Sequence, residues 1–129
     1  GVPANVIGVS PGVPGPFNRH GTAVSGTIAE YQNDGNGAVL GFILAHEFGH
    51  FLGLFHTSQT SGDRLTIIGE YPIADTELCQ TSDLGGIGHI ENCPDRTNLM
   101  FPYVLNDTDP PITTGQGNVV KFNPGITVP

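Results

Sequence analysis

The stretch "HEFGHFLGLFH", residues 46 to 56, constrains this chain more than any other part of it. It gathers three of the five histidines in the sequence. From Ala38 to Leu52 the residues are apolar apart from His46, Glu47 and His50, which predicts a helix buried on most sides. Positions i and i+4 share a helical face, so His46 and His50 can offer two nitrogens to one ion. Glu47 lies about 100° round from His46, beside such an ion rather than on it. A continuing helix would carry His56 away along its axis. Gly53 supplies the remedy, because glycine can take a left-handed conformation, end the helix and turn the chain back.

Three neutral imidazoles leave a fourth tetrahedral position open, the arrangement of a catalytic rather than a structural zinc. A zinc ion held this way lowers the pKa of a water from about 15.7 towards ~7 and polarises a substrate carbonyl. Glu47 then stands where a general base is needed. A lone histidine on an apolar helix is more often a hydrogen-bonded core residue, and HExxH alone also turns up by chance. The added glycine and third histidine make coincidence a poor explanation. His20 and His89 have no such support and read as surface residues.

The rest of the composition bounds the fold. At 129 residues the chain reads as one domain, 1 to 129. Nineteen glycines and eleven prolines against 12% charged residues predict a loop-rich structure with short elements. A net charge of −8 argues against nucleic acid or an anionic membrane as partner, and no apolar run reaches membrane-spanning length. The start at Gly1, without a signal peptide, reads as a processed chain. Cys79 and Cys93, an even pair among loops, imply one disulfide and a secreted, oxidising setting, with two buried free thiols as the alternative. A second zinc site from Cys79, His89 and Cys93 lacks compact C-x-x-C spacing.

Two strands are expected, at Asn5 to Ser10 and over residues 22 to 31. "QNDGNG" then offers Asn33, Asp34 or Asn36 as the helix cap. Residues 57 to 97 form a long polar loop. A last helix is predicted within "TTGQGNVVKFNP", residues 113 to 124, capped by Thr113 or Thr114 and ended before Pro124. Asp63, Asp75, Asp83 and Asp95 could furnish a structural Ca²⁺ site, although their spacing matches no EF-hand and a solvated acidic loop is the simpler reading.

HExxHxxGxxH followed by a methionine turn is the signature of the metzincin metallopeptidases, and the chain resembles them closely. His46, Glu47, His50, Gly53 and His56 fill every motif position, and Met100, in "NLMFPY", stands where the family's Met-turn methionine lies beneath the metal. "LMFP" looks like the matrixin turn, whereas "HTSQTSG…IADTELC…ENCPDRTNLM" is more similar to pappalysin-like enzymes. The resemblance, to a pappalysin-like or bacterial matrixin-like peptidase, spans roughly residues 5 to 124. Astacins and serralysins carry a metal-binding tyrosine two positions after the methionine; Pro102 stands there, so Tyr103 is not assigned to the metal.

The resemblance implies an α+β, metzincin-like catalytic domain with a shortened upper sheet and one buried zinc-binding helix. A loop-rich lower subdomain with the Met-turn and a C-terminal helix would complete it. It implies one catalytic Zn²⁺ on His46, His50 and His56, Glu47 as base, and Met100 as a packing floor. Phe101, Pro102 and Tyr103 would wall a substrate pocket, with ordinary core packing as the alternative. A protein or peptide substrate would add as a strand to the edge at Asn5 to Ser10. Only 45 residues precede His46, fewer than the family's N-terminal subdomain needs, so the missing N-terminal part of a larger enzyme is an expected partner. The competing functions are a non-catalytic, zinc-stabilised protein-binding or adhesion domain and a zinc hydrolase acting on something other than protein. Glu47 favours the enzyme, because a structural site has no need of that carboxylate.

Overall fold

The structure, a computed structural model, describes residues 6–19, 21–22, 24–31, 35, 37–58, 60–61, 64–65, 73–79, 90–103 and 109–126. Its elements are α+β in type. Strand β1 (Gly8–Val9) pairs antiparallel with β2 (Ile28–Ala29), Gly8 opposite Ala29 and Val9 opposite Ile28. Helix α1 (Ala38–Phe51) follows, and then a second antiparallel pair, β3 (Thr60–Ser61) with β4 (Arg64–Leu65). A 3-10 turn at Ile90–Asn92 and helix α2 (Thr114–Lys121) complete the chain. Among the described residues no helix is long and apolar enough to cross a membrane.

The first sheet is shorter than its sequence promises. Among the described residues of 22 to 31 the strand is Ile28–Ala29, extended by Glu30 N–H to Ile7 O, because Ser25 N–H donates to Thr22 O in a turn and Gly26 follows at φ +113°. Asn5, the start of the other expected strand, lies outside the described residues. β1 nevertheless sits where the site needs it. A methyl group at Gly8 would stand 2.5 Å from Glu47 Oε1 and 2.8 Å from Ile43 Cγ2, so glycine lets this strand lie directly on α1.

Helix α1 begins differently from expectation. Its N-cap is Gly37, at φ +76° and without a side-chain cap. Asn33, Asp34 and Asn36, the expected caps, lie outside the described residues. Its far end behaves as Gly53 foretells. Gly53, at φ +104°, donates its N–H to His50 O, and Leu54 N–H reaches back to Gly49 O. These two bonds form the Schellman closure, which satisfies carbonyls that the last turn would leave open. The helix is less enclosed than predicted. Phe42, Ile43, His46, Glu47 and Gly49 are buried, but Leu44 is 41% and Phe48 51% exposed, so one face remains uncovered among the described residues.

Three anchors hold the segments beyond α1, and the last of them ties back to it. Cys79 and Cys93 form a disulfide, buried with Phe101 in one cluster against Ile90. Closing a loop of this size stabilises by about 3 kcal/mol on the chain-entropy argument. Helix α2 carries the expected cap in full: Thr113 Oγ1 accepts from Gln116 N–H, and Gln116 Oε1 accepts from Thr113 N–H. The same Gln116 forms a reciprocal amide pair with Asn98, at 2.8 and 3.0 Å, both residues buried. At its other end Asn123 Nδ2 donates to Leu52 O at 2.7 Å, which ties the end of α2 to the end of α1.

Candidate metal centre

The turn at Gly53 brings the three histidines of the motif together. His46 Nε2 and His56 Nε2 are 3.1 Å apart, and His50 Nε2 and His56 Nε2 are 3.0 Å apart. These residues form a group that could hold a metal ion. Their ring orientation is set from behind. His46 Nδ1 lies 2.7 Å from Leu99 O, and His50 Nδ1 lies 2.6 Å from Leu54 O. A backbone carbonyl can only accept, so both Nδ1 atoms carry the proton. The Nε2 of His46 and of His50 is therefore an acceptor lone pair directed at His56 Nε2. The carbonyl behind a ligating imidazole also fixes its ring and raises its basicity as a ligand.

Burial keeps the imidazoles neutral. It pulls His46 down to about 4, against the opposing effect of the Leu99 carbonyl, with the charge of His50 adding to the depression. His56 falls to about 3, first through burial and then through the charges of His50 and His46. His50 is lowered by burial and partly restored by the Leu54 carbonyl. At neutral pH all three are uncharged imidazoles. Glu47 moves the other way, its carboxyl raised by burial.

Glu47 lines a cleft with His46 and His56, beneath Val6 to Gly8. Phe101, Pro102 and Tyr103 border the same cleft. Phe101 is fully buried and packs on the disulfide, so its role is largely core, while Tyr103 is 39% exposed at the rim. Met100 is fully buried under α1. A methyl group at Gly49 would come within 2.5 Å of Met100 Sδ, so Gly49, one residue before His50, makes the room for that side chain.

Among the expected cation acids, Asp63 and Asp83 lie outside the described residues, as do His20 and His89. Asp75 accepts from Gly115 N–H at 2.8 Å and sits at the start of α2; that bond leads the causes that lower its carboxyl. Asp95 accepts from Ser58 Oγ at 2.6 Å, and Ser58 Oγ in turn accepts from Cys79 N–H. These two carboxylates serve the loops. Asp95 also lies near Cys79 and Cys93, but both sulfurs are committed to the disulfide.

Sequence reasoning missed the groups that hold the ligands. Asn98 Oδ1 accepts from Met100 N–H at 2.9 Å, and Met100 O accepts from Thr57 N–H at 3.0 Å. The 98–100 segment thereby fixes both Leu99 O behind His46 and the chain just after His56. Leu54 and Leu99 act through carbonyls, which no residue pattern reveals. The buried Asn98 and Gln116 carried a faint signal, as amides flanking "LMF" and opening the last helix.

Family models, curated proteins and solved structures give no match to this chain.

The geometry of the site carries a pH dependence. Folded His46 and His56 bind protons less readily than free imidazoles at 6.5, so acid favours the unfolded chain. Their contribution to stability is present above pH 6.5 and lost as pH falls through about 4 and then about 3. Glu47 opposes this, since its raised carboxyl stabilises the fold at low pH and that contribution is lost as pH rises. Two strongly depressed groups outweigh the one raised group. Denaturant midpoints of metal-stripped protein should fall between pH 7.5 and pH 5; a flat or rising midpoint would contradict the account.

Proposed function

We propose that the protein is a zinc-dependent endopeptidase of the metzincin type, in which Glu47 serves as general base. The observation that carries this reading is the meeting of three histidines beside the Glu47 cleft, with His56 Nε2 3.1 Å from His46 Nε2 and 3.0 Å from His50 Nε2 and all three ligand atoms within 4.8 Å of one another. Tetrahedral zinc with Zn–N near 2.0–2.1 Å spaces its nitrogens at about 3.3 Å, so the two pairs that include His56 need only slight opening to fit. Three neutral imidazoles also match the donor preference of zinc and leave a coordination position free for catalysis.

When bound, zinc would act as a Lewis acid on the peptide carbonyl and make water acidic enough to attack at neutral pH. The remaining work falls to the chain. Leu99 O and Leu54 O hold His46 and His50 in register. Glu47 takes a proton from the attacking water and passes it to the departing amide nitrogen, and its raised pKa strengthens it as a base. Val6 to Gly8 borders the cleft, and the segment to Ser10 would offer the substrate a strand edge, as the family resemblance implies. Secretion fits the disulfide.

Glu47→Gln should abolish peptide hydrolysis while the protein still binds one equivalent of zinc. Retained turnover would sink the base assignment, and a wild type that binds zinc but cuts no peptide would favour the non-catalytic binding domain. The wall of Phe101, Pro102 and Tyr103 suits an apolar side chain just after the scissile bond. A peptide library should show that preference, shifted by Tyr103→Ala; dominance of charged residues at that position would refute the wall.

The uncovered face of α1, carrying Leu44 and Phe48, suits a further N-terminal subdomain of a larger enzyme. Phe48→Ser should then cost this chain about 1 kcal/mol and destabilise a longer parent chain by more. Equal effects in both would speak against that partner.

A further inference from the structure

The carbonyl that orients His46 belongs to a β-turn. Phe101 N–H donates to Asn98 O at 3.0 Å, which puts the peptide between Leu99 and Met100 at the centre of the turn. The closing bond does not fix that central peptide, and turns of types I and II differ mainly by its flip. A flip here would carry Leu99 O away from His46 Nδ1, which it meets at 2.7 Å.

What opposes the flip is a chain of amides. Met100 N–H, the other end of the same peptide, donates to Asn98 Oδ1 at 2.9 Å. Asn98 Oδ1 also accepts from Gln116 Nε2 at 3.0 Å, while Asn98 Nδ2 donates to Gln116 Oε1 at 2.8 Å. This pairing decides which edge of the Asn98 amide faces the turn. Rotating that amide would set Nδ2 against Met100 N–H, donor against donor. Gln116 is 1% and Asn98 8% exposed, so water does not stand in for a lost partner. Gln116 is itself anchored, because Oε1 accepts from Thr113 N–H at the cap of α2. The turn is gripped a second time from the approach to that helix, where Leu99 N–H donates to Pro111 O at 2.9 Å.

We propose that Gln116 is a positioning residue for the metal centre: through Asn98 it locks the Leu99–Met100 peptide in the orientation that serves His46. The assignment rests on the three-histidine metal reading and is independent of what the site hydrolyses. His50 provides an internal control. Its carbonyl, Leu54 O, belongs to the turn that closes α1 and takes no part in the amide pair. Loss of the lock should therefore loosen His46 and spare His50.

Gln116→Glu tests this. Its carboxylate keeps an oxygen for Thr113 N–H, as a capping box allows, but cannot donate to Asn98 Oδ1. Zinc affinity is measured by competition with a chromophoric chelator at neutral pH, and solvent exchange of the imidazole Nδ1–H protons by NMR on zinc-loaded protein. The variant should bind zinc about tenfold more weakly than wild type, at the low end of the losses that follow damage behind metal ligands. Exchange should quicken at His46 and stay unchanged at His50. Thr113→Ala, which removes the cap hydroxyl and leaves the amide pair, should lower the unfolding midpoint without changing zinc affinity. If Gln116→Glu does not fold, Asn98→Asp and Asn98→Leu carry the test. Aspartate keeps an acceptor for Met100 N–H and should keep the affinity, whereas leucine should lose it. Wild-type affinity in folded Gln116→Glu, or equal changes at His46 and His50, would overturn the proposal. A wild type that takes up no zinc on these histidines would defeat the metal reading itself, and the assignment with it.

Discussion

The site depends on two hydrogen bonds that run away from it. Leu99 O and Leu54 O take the Nδ1 protons of His46 and His50 at 2.7 and 2.6 Å, which turns both Nε2 lone pairs towards His56. Without those carbonyls each ring could flip or exchange tautomers, and the shared focus would be lost. One carbonyl comes from the turn that ends α1, and the other from a segment 53 residues further along the chain. The helix thus supplies the histidines, and non-helical backbone decides what they can do.

That backbone is itself held by an amide relay. Gln116 caps the start of α2 and pairs with Asn98, and Asn98 accepts the N–H of Met100. Met100 then sits under Gly49 and accepts the N–H of Thr57, directly after the third histidine. Helix α2 is therefore more than a terminal cover; it positions the floor of the metal centre. A larger residue at Gly49 would push Met100 out of place and carry Leu99 O with it. The disulfide performs the same service from the other side, where Cys79 and Cys93 pack on Phe101 beside the Glu47 cleft.

The parts legible in sequence were those with local chemistry. The i, i+4 histidines, the helix stop at Gly53 and the Thr113 cap each follow from short-range rules, and each appears at the expected residues. The Cys79–Cys93 pair was readable from composition because there was only one possible pairing. Backbone acceptors were not readable, since Leu54 and Leu99 advertise nothing through their side chains. Gly26 and Gly37 misled for a related reason: sequence shows that a glycine is present but not which conformation it adopts. The burial of α1 was overestimated because periodicity states which residues are apolar and cannot state what covers them; Leu44 and Phe48 stay exposed among the described residues.

The central claim is that the three Nε2 atoms form one metal centre. X-ray absorption on protein carrying one equivalent of zinc tests it most directly. The account predicts a low-coordinate shell with three imidazole nitrogens at about 2.0–2.1 Å, disrupted when His56 is replaced by alanine. A shell containing sulfur, a shell without imidazole scattering, or a shell unchanged by His56→Ala would contradict it.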